Sequence, residues 1–145
     1  MKKILLTLMV TFMTVFAIQA DTYGHDAAML PVAAQTTLKA NFKAGVSLVK
    51  VDKDFGRVSE YEVILTDGTE VTFDRAGNVK EVETAAANAV PSALVPQNIR
   101  SYVKNTHSGT RIVGYEVKRS GYEVTLSNGL ELKFNKQGNF VKYDD

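Results

Sequence analysis

The stretch from Tyr61 to Val82 reads YEVILTDGTEVTFDRAGNVKEV, and 61 residues later Tyr122 to Tyr143 reads YEVTLSNGLELKFNKQGNFVKY. At this constant offset the identical pairs are Tyr61/Tyr122, Glu62/Glu123, Val63/Val124, Leu65/Leu126, Gly68/Gly129, Glu70/Glu131, Phe73/Phe134, Gly77/Gly138 and Asn78/Asn139. So many identities in one register indicate a tandem duplication.

Each copy has the pattern of an antiparallel strand meander. Apolar and polar residues alternate from Tyr61 to Thr66, which is the period of a half-buried strand. Asp67-Gly68 and Asn128-Gly129 predict two-residue hairpin turns of type I′, in which both central residues have positive φ. The segments 74–77 and 135–138 each predict a type I turn closed by a glycine, followed by a last strand at about 78–83 and 139–143.

A helix is expected before each meander, beginning near Pro31 and near Pro96, because proline suits the first helical turn. Apolar residues spaced by four, such as Ala34 and Leu38, support this prediction. The sequence therefore predicts an α+β fold of two tandem helix-plus-four-strand antiparallel repeats, with the helices packed on one face of a curved sheet. The expected boundaries are a flexible leader at 21–28, repeats at 29–83 and 94–145, and a linker at 84–93.

The N-terminus has the layout of a cleavable signal peptide at residues 1–20. Lys2 and Lys3 precede an apolar run that is shorter than the about 20 residues a membrane-spanning helix needs. Cleavage after Ala20 is preferred, with Ala17 as the alternative site, and an uncleaved membrane anchor is the alternative interpretation. The expected location is the periplasm or outside the cell, with no stable membrane anchor after the signal is removed.

Composition excludes several classes of function. Hydrophobic residues make up 45% and charged residues 23% of the chain, which is typical of a globular protein. Lysines plus arginines number 17 and acidic residues 16, so without Lys2 and Lys3 the charge is close to zero and no nucleic-acid partner is expected. There are no cysteines, so disulfides, thiolate metal sites and cysteine nucleophiles are excluded.

Few side chains suggest chemistry. His25 and His107 are far apart in the sequence and are expected to be surface residues rather than metal ligands. Asp52 and Asp54 lie in a polar hairpin loop that lacks the spacing of a calcium loop. The glutamates could be imagined as a carboxylate set for glycoside hydrolysis, but the alternating positions of Glu62, Glu70, Glu123 and Glu131 are typical of a solvated sheet face. We predict no catalytic residues, no metal site and no cofactor.

The repeated segments also resemble a known family. Each copy follows a proline-started helix and has the motifs Y-E-V-x-L, Asp-Gly or Asn-Gly, E-[V/L]-x-F and a final Gly-Asn. This pattern is similar to the PepSY-like, β-lactamase-inhibitor-like family of exported bacterial proteins. The resemblance covers residues 29–145. It implies a fold like that of β-lactamase inhibitory protein, in which helix-plus-sheet repeats present a concave sheet to a target enzyme. Phe140 fits the aromatic position after Gly-Asn, whereas Val79 does not.

The function predicted from these features is a non-catalytic protein-binding module, with an inhibitor or regulator of a periplasmic or secreted enzyme as one form of it. The partner is a protein of unknown identity. The alternative function is a periplasmic small-ligand or envelope-stress binding protein. The candidate partner-binding residues lie on the outward face of the sheet and at the hairpin tips: Glu62, Ile64, Asp67, Glu123, Thr125, Asn128, Glu131 and Lys133.

Overall fold

A computed structural model describes residues 21–85 and 87–144 of the protein. The predicted signal peptide at residues 1–20 lies outside the described residues. The strands are β1 (Thr22–Gly24), β2 (Val46–Asp54), β3 (Arg57–Leu65), β4 (Glu70–Asp74), β5 (Val79–Glu83), β6 (Ile112–Lys118), β7 (Gly121–Leu126), β8 (Glu131–Asn135) and β9 (Phe140–Asp144). The helices are α1 (Val32–Asn41) and α2 (Gln97–Thr106), and single 3-10 turns occur at Ala27–Met29 and Ser92–Leu94.

The strands form one sheet in sequence order, β1 to β9, and every neighbouring pair is antiparallel. This finding corrects the predicted architecture of two helix-plus-four-strand repeats. The protein is a single nine-stranded antiparallel sheet with two short helices among the described residues. β5 pairs with β6 through Glu81 with Glu116 and Val82 with Tyr115. The sheet is therefore continuous across the predicted boundary between the two repeats.

The first strand, β1, comes from a segment that the sequence analysis assigned to a flexible leader. Thr22, Tyr23 and Gly24 pair with Val51, Lys50 and Val49 of β2. The Asp26 side chain then accepts a hydrogen bond from the Ala28 N–H at 2.8 Å and caps the following 3-10 turn. A three-residue strand has too short a pattern for period-two alternation to reveal it.

Both helices begin at the residue after a proline, as predicted. Ala34 and Leu38 of α1 and Ile99 and Val103 of α2 are buried, because residues spaced by four share one side of a helix. They pack against alternate residues of the strands, and Leu30, Val90 and Val95 of the connecting segments complete the core. The strand residues of the core are Val49, Val51, Val63, Leu65, Val71, Phe73, Val82, Tyr115, Val124, Leu126, Leu132 and Phe134.

The β3–β4 and β7–β8 turns differ from the predicted type I′ form. Gly68 N–H donates to Leu65 O at 2.9 Å, and Leu65 N–H donates to Thr69 O at 2.8 Å, so the turn has three loop residues rather than two. Gly68 (φ 89°) is in the left-handed region and Asp67 is not, because the Asp67 carboxylate instead accepts from Thr69 N–H at 2.9 Å. This arrangement is a type I turn followed by a glycine bulge, and Gly129 closes the same arrangement in β7–β8.

A two-residue turn with positive φ at both positions does occur, at the tip of the β2–β3 hairpin. Phe55 (φ 52°) and Gly56 (φ 78°) connect Asp54 to its partner Arg57. Among the described residues, Phe55 alone has positive φ without being glycine, and its side chain is fully exposed. An aromatic residue in this conformation is strained by steric contact with its own backbone.

Candidate functional site

The face of the sheet opposite the helices, which we call the outer face, carries two neighbouring rows of side chains. Residues in each row are cross-strand partners from one strand to the next. The first row is Lys50, Glu62, Thr72, Glu81, Glu116, Glu123, Lys133 and Lys142. The second row is Leu48, Ile64, Glu70, Glu83, Gly114, Thr125, Glu131 and Asp144. Carboxylates therefore make up half of each row, and the lysines of the first row lie towards the two ends of the sheet.

The structure brings together most of the predicted partner-binding residues. Glu62, Ile64, Glu123, Thr125, Glu131 and Lys133 all lie on the outer face. Glu123 and Glu131 are buried, whereas the other four side chains are partly exposed.

Asp67 and Asn128 are placed apart from this face, at the β3–β4 and β7–β8 turns. Asp67 holds its own turn and also accepts a hydrogen bond from the Asn88 side chain at 3.0 Å. Asn128 accepts from Leu130 N–H at 3.1 Å. Both side chains are therefore engaged in stabilising turns.

The β2 end of the outer face is organised around a buried lysine. Lys50 is 5% exposed, and its Nζ lies 2.7 Å from Asp52 Oδ1 and 2.8 Å from Glu62 Oε2. Burial alone would lower the pKa of Lys50, but the hydrogen bonds to Asp52 and Glu62 outweigh it, so the pKa lies above its ordinary value. Burial and the neighbouring Glu62 raise the pKa of Asp52 to about 6.

The opposite end has a looser arrangement of the same kind. Lys118 Nζ lies 3.1 Å from Glu123 Oε2, and Lys133 Nζ lies 3.8 Å from the same oxygen and 3.3 Å from Asp144 Oδ2. Both lysines are more than a third exposed, at 40% and 34% of the side chain. These ion pairs are consequently screened by solvent more than those of Lys50.

Between the two ends lie four glutamates of β4, β5 and β6, which we call the central glutamates: Glu70, Glu81, Glu83 and Glu116. Glu70 is opposite Glu83, and Glu81 is opposite Glu116. Burial, followed by repulsion from the neighbouring carboxylates, raises the pKa of Glu83 to about 8 and that of Glu81 to about 7. Burial likewise raises the pKa of Glu70 and of Glu116.

Within the described ranges, two groups of acidic side chains have oxygens close enough to share a metal ion. They are Asp52, Glu60 and Glu62, and Glu123, Glu131 and Asp144, with ligand atoms within 4.8 Å of one another. Each group already lies against a lysine, Lys50 in the first and Lys118 and Lys133 in the second. An ammonium group therefore supplies the positive charge that a metal ion would bring.

The two histidines make separate contacts. His25 Nδ1 lies 2.7 Å from Ser47 O, and His107 Nε2 lies 3.1 Å from the Tyr143 hydroxyl. Neither belongs to the two acidic groups. His25 is exposed beside β2, and His107 is partly exposed at the end of α2.

Sequence reasoning missed Lys50, Glu81, Glu83, Glu116 and Phe55. The alternation of β2 could have placed Lys50 on the face of Glu62, because Lys50 is flanked by the core residues Val49 and Val51. The contact of Glu81 and Glu83 with β6 depends on a pairing between distant strands, and no local pattern reports that register.

The comparisons with known proteins agree with this geometry. A family model described as "Putative beta-lactamase-inhibitor-like, PepSY-like" matches residues 59–142. No curated protein shows significant sequence similarity to the chain. Among the described residues, no helix has the length and apolar character that crossing a membrane requires.

Three of the solved structures similar to this one come from Bacteroides. A "putative periplasmic protein of unknown function" from Bacteroides vulgatus ATCC 8482 is 37% identical, with a TM-score of 0.80, over 86% of this chain and 99% of that chain. A "putative calcium-regulated periplasmic protein" from Bacteroides thetaiotaomicron is 35% identical, with a TM-score of 0.79, over 86% and 97%. A second protein from Bacteroides vulgatus ATCC 8482, also described as a "putative periplasmic protein", is 34% identical, with a TM-score of 0.79, over 88% of this chain and 99% of that chain.

Proposed function

Because the chain belongs to the PepSY-like, beta-lactamase-inhibitor-like family, we propose that it is a non-catalytic periplasmic module that binds another protein through the outer face of its sheet. The observation that carries this proposal is the outer face itself. Two rows of mostly polar and charged side chains span eight strands there, while both helices pack on the opposite face. A broad face of this kind suits a protein surface better than a small molecule.

The arrangement of the carboxylates supports binding rather than catalysis. Glu62 and Glu123 are held by lysines, and Glu70 and Glu83 are buried opposite each other. Glycoside hydrolysis needs one carboxyl group that donates a proton and one ionised carboxylate across an accessible cleft. The buried Glu70 and Glu83 are not the accessible pair of carboxyl groups that this reaction needs.

The location and the partner class belong to the same proposal. The similar solved structures are described as periplasmic proteins, and the signal peptide predicted at residues 1–20 would deliver this chain there. The mature chain is expected to begin near Asp21. The partner is a protein of the same compartment, with an exported enzyme as the class that the family description suggests.

The experiment is capture of partners from envelope extract by the tagged mature protein and by two variants. Ile64→Asp adds a charge to the outer face on β3, between Leu48 and Glu70. Val32→Asp adds the same charge at a site 77% exposed on α1. A protein captured by the wild type and by Val32→Asp but lost with Ile64→Asp supports the proposal, provided that both variants melt cooperatively. Equal capture by all three proteins contradicts it.

A second candidate function is a calcium response. One similar structure is described as calcium-regulated, and two groups of acidic side chains are close enough to share a cation. Calcium binds six to eight oxygens, so it would have to displace Lys50 or Lys118 and Lys133 from these groups. A rise in melting temperature with calcium chloride, but not with magnesium chloride, would support this candidate.

A further inference from the structure

Among the central glutamates, the carboxyl group of Glu83 is costly for folding stability. Glu83 is 5% exposed, and its Oε2 has no hydrogen-bond partner within the part of the chain that the structure describes. A buried carboxyl oxygen without a partner loses its hydration without compensation. Glu70 faces it from β4, also buried at 8% exposed.

The surroundings of Glu83 are acidic on every strand that flanks it. β4 presents Glu70, β5 itself presents Glu81, and β6 presents Glu116, and each of these carboxylates repels the charge of Glu83. Lys80 and Lys118 stand at the rim, where they pair with Glu60 and with Glu116 and Glu123. Among the described residues, Glu116 has a lysine at 3.7 Å, and no ion pair joins a lysine or arginine to Glu70, Glu81 or Glu83.

The central glutamates differ from the two acidic groups whose oxygens are close enough to share a metal ion. The oxygens of those two groups lie within 4.8 Å of one another, and the central glutamates belong to neither group. Gly114, opposite Glu83 on β6, contributes no side chain, and Thr125 lies 3.1 Å from the place of its missing Cβ. A planar guanidinium has five N–H donors and can bond several carboxylates at once.

We propose that Glu70, Glu81, Glu83 and Glu116 form the recognition site for a basic side chain, preferably arginine, that the protein partner inserts into the outer face. This inference rests on the proposed function and names the partner chemistry of that same face. The half-exposed Glu81 and Glu116 make the first contact, and Glu83 lies beneath them. Because Glu83 must lose its proton to pair with a guanidinium, binding releases protons and becomes tighter as the pH rises.

The test is an NMR titration of the mature protein with the peptide acetyl-Gly-Arg-Gly-amide, and with acetyl-Gly-Gln-Gly-amide as the neutral peptide. We expect amide shifts centred on β4, β5 and β6 with the arginine peptide only, and tighter binding at about pH 8 than at about pH 6. Glu81→Gln combined with Glu83→Gln should weaken binding by about 10-fold or more. Asp54→Asn removes one exposed negative charge elsewhere and should leave the affinity unchanged.

Three results would overturn the inference. They are the absence of shifts in β4 to β6, equal affinity of the glutamine variant and the wild type, and calcium chloride producing the same shifts in place of the arginine peptide. The outcome is separable from that of the proposed function. A partner captured equally by the wild type and by the Glu81→Gln/Glu83→Gln variant, but lost with Ile64→Asp, would refute the arginine site and leave the binding face intact.

Discussion

Glu70 and Glu83 face each other across the pairing of β4 and β5, and both side chains are buried on the face of the sheet that the helices do not cover. Two carboxylates in this relation cannot both be ionised without a large electrostatic cost. The protein tolerates the pair by holding a proton there, which links its stability to pH.

Stability should fall as the pH rises through the neutral range. Burial raises the pKa of Glu83 from 4.5 to about 8, so between these values the folded state binds a proton that the unfolded state has lost. Each such proton lowers the free energy of unfolding by about 1.4 kcal/mol for each unit by which the pH rises. Denaturant melts from about pH 5 to about pH 8 should show this fall, and Glu83→Gln should flatten it. An equally steep fall in Glu83→Gln would assign the effect to other groups.

The buried lysine of the outer face should be essential for folding stability at neutral pH. Lys50→Met leaves Asp52 and Glu62 close together without their shared cation, and the expected loss is about 3 kcal/mol or more. The loss should shrink at about pH 5, because Asp52, whose pKa is raised to about 6, is then protonated and no longer repels Glu62. Lys80→Met is the matched control, because its pair with Glu60 is exposed and worth at most about 1 kcal/mol. Equal losses for the two variants would contradict this account.

Turn geometry gives a third prediction. Gly68→Val and Gly129→Val should each destabilise the protein by about 1 kcal/mol or more, because a β-branched residue disfavours positive φ. Gly45→Val is the control, since Gly45 has no positive φ and a Cβ there meets nothing within 4 Å. Urea denaturation of the three variants measures the difference. Equal stability of all three would show that the left-handed conformation is not required.

The core should be sensitive to loss of its phenylalanines. Phe73 and Phe134 are 0% and 3% exposed on the helix side of β4 and β8. Phe73→Ala and Phe134→Ala should each cost about 3–5 kcal/mol by loss of apolar burial and creation of a cavity. Thermal or chemical denaturation measures the loss in free energy of unfolding. A loss below about 1 kcal/mol would mean that these side chains do not pack in the core.

Alternation within single strands predicted the two faces of the sheet. Val63 and Leu65, and Leu132 and Phe134, are buried on the core side as expected, and the outer-face positions of Ile64 and Thr125 follow from the same period. The proline-preceded helices were also predicted, because their signal is local.

The strand pairings that were not predicted depend on contacts between residues far apart in the sequence. The pairing of Glu81 with Glu116 joins β5 to β6, and Tyr23 with Lys50 joins β1 to β2. No pattern within either strand encodes such a register.

The ion pairs of the outer face also depend on contacts between strands, as Lys133 illustrates. Its Nζ lies 3.3 Å from Asp144, so Lys133→Glu would remove an ion pair and add repulsion, which makes the variant a poor probe of binding alone.

The most direct test of the binding face is photo-crosslinking in living cells. A photoreactive amino acid is placed at Ile64 or at Thr125 on the outer face, and at Val32 on α1 as the control. The account predicts that Ile64 and Thr125 form a covalent adduct with the same envelope protein and that Val32 does not. Adducts that form from Val32 alone, or an absence of adducts from both outer-face positions, would contradict it.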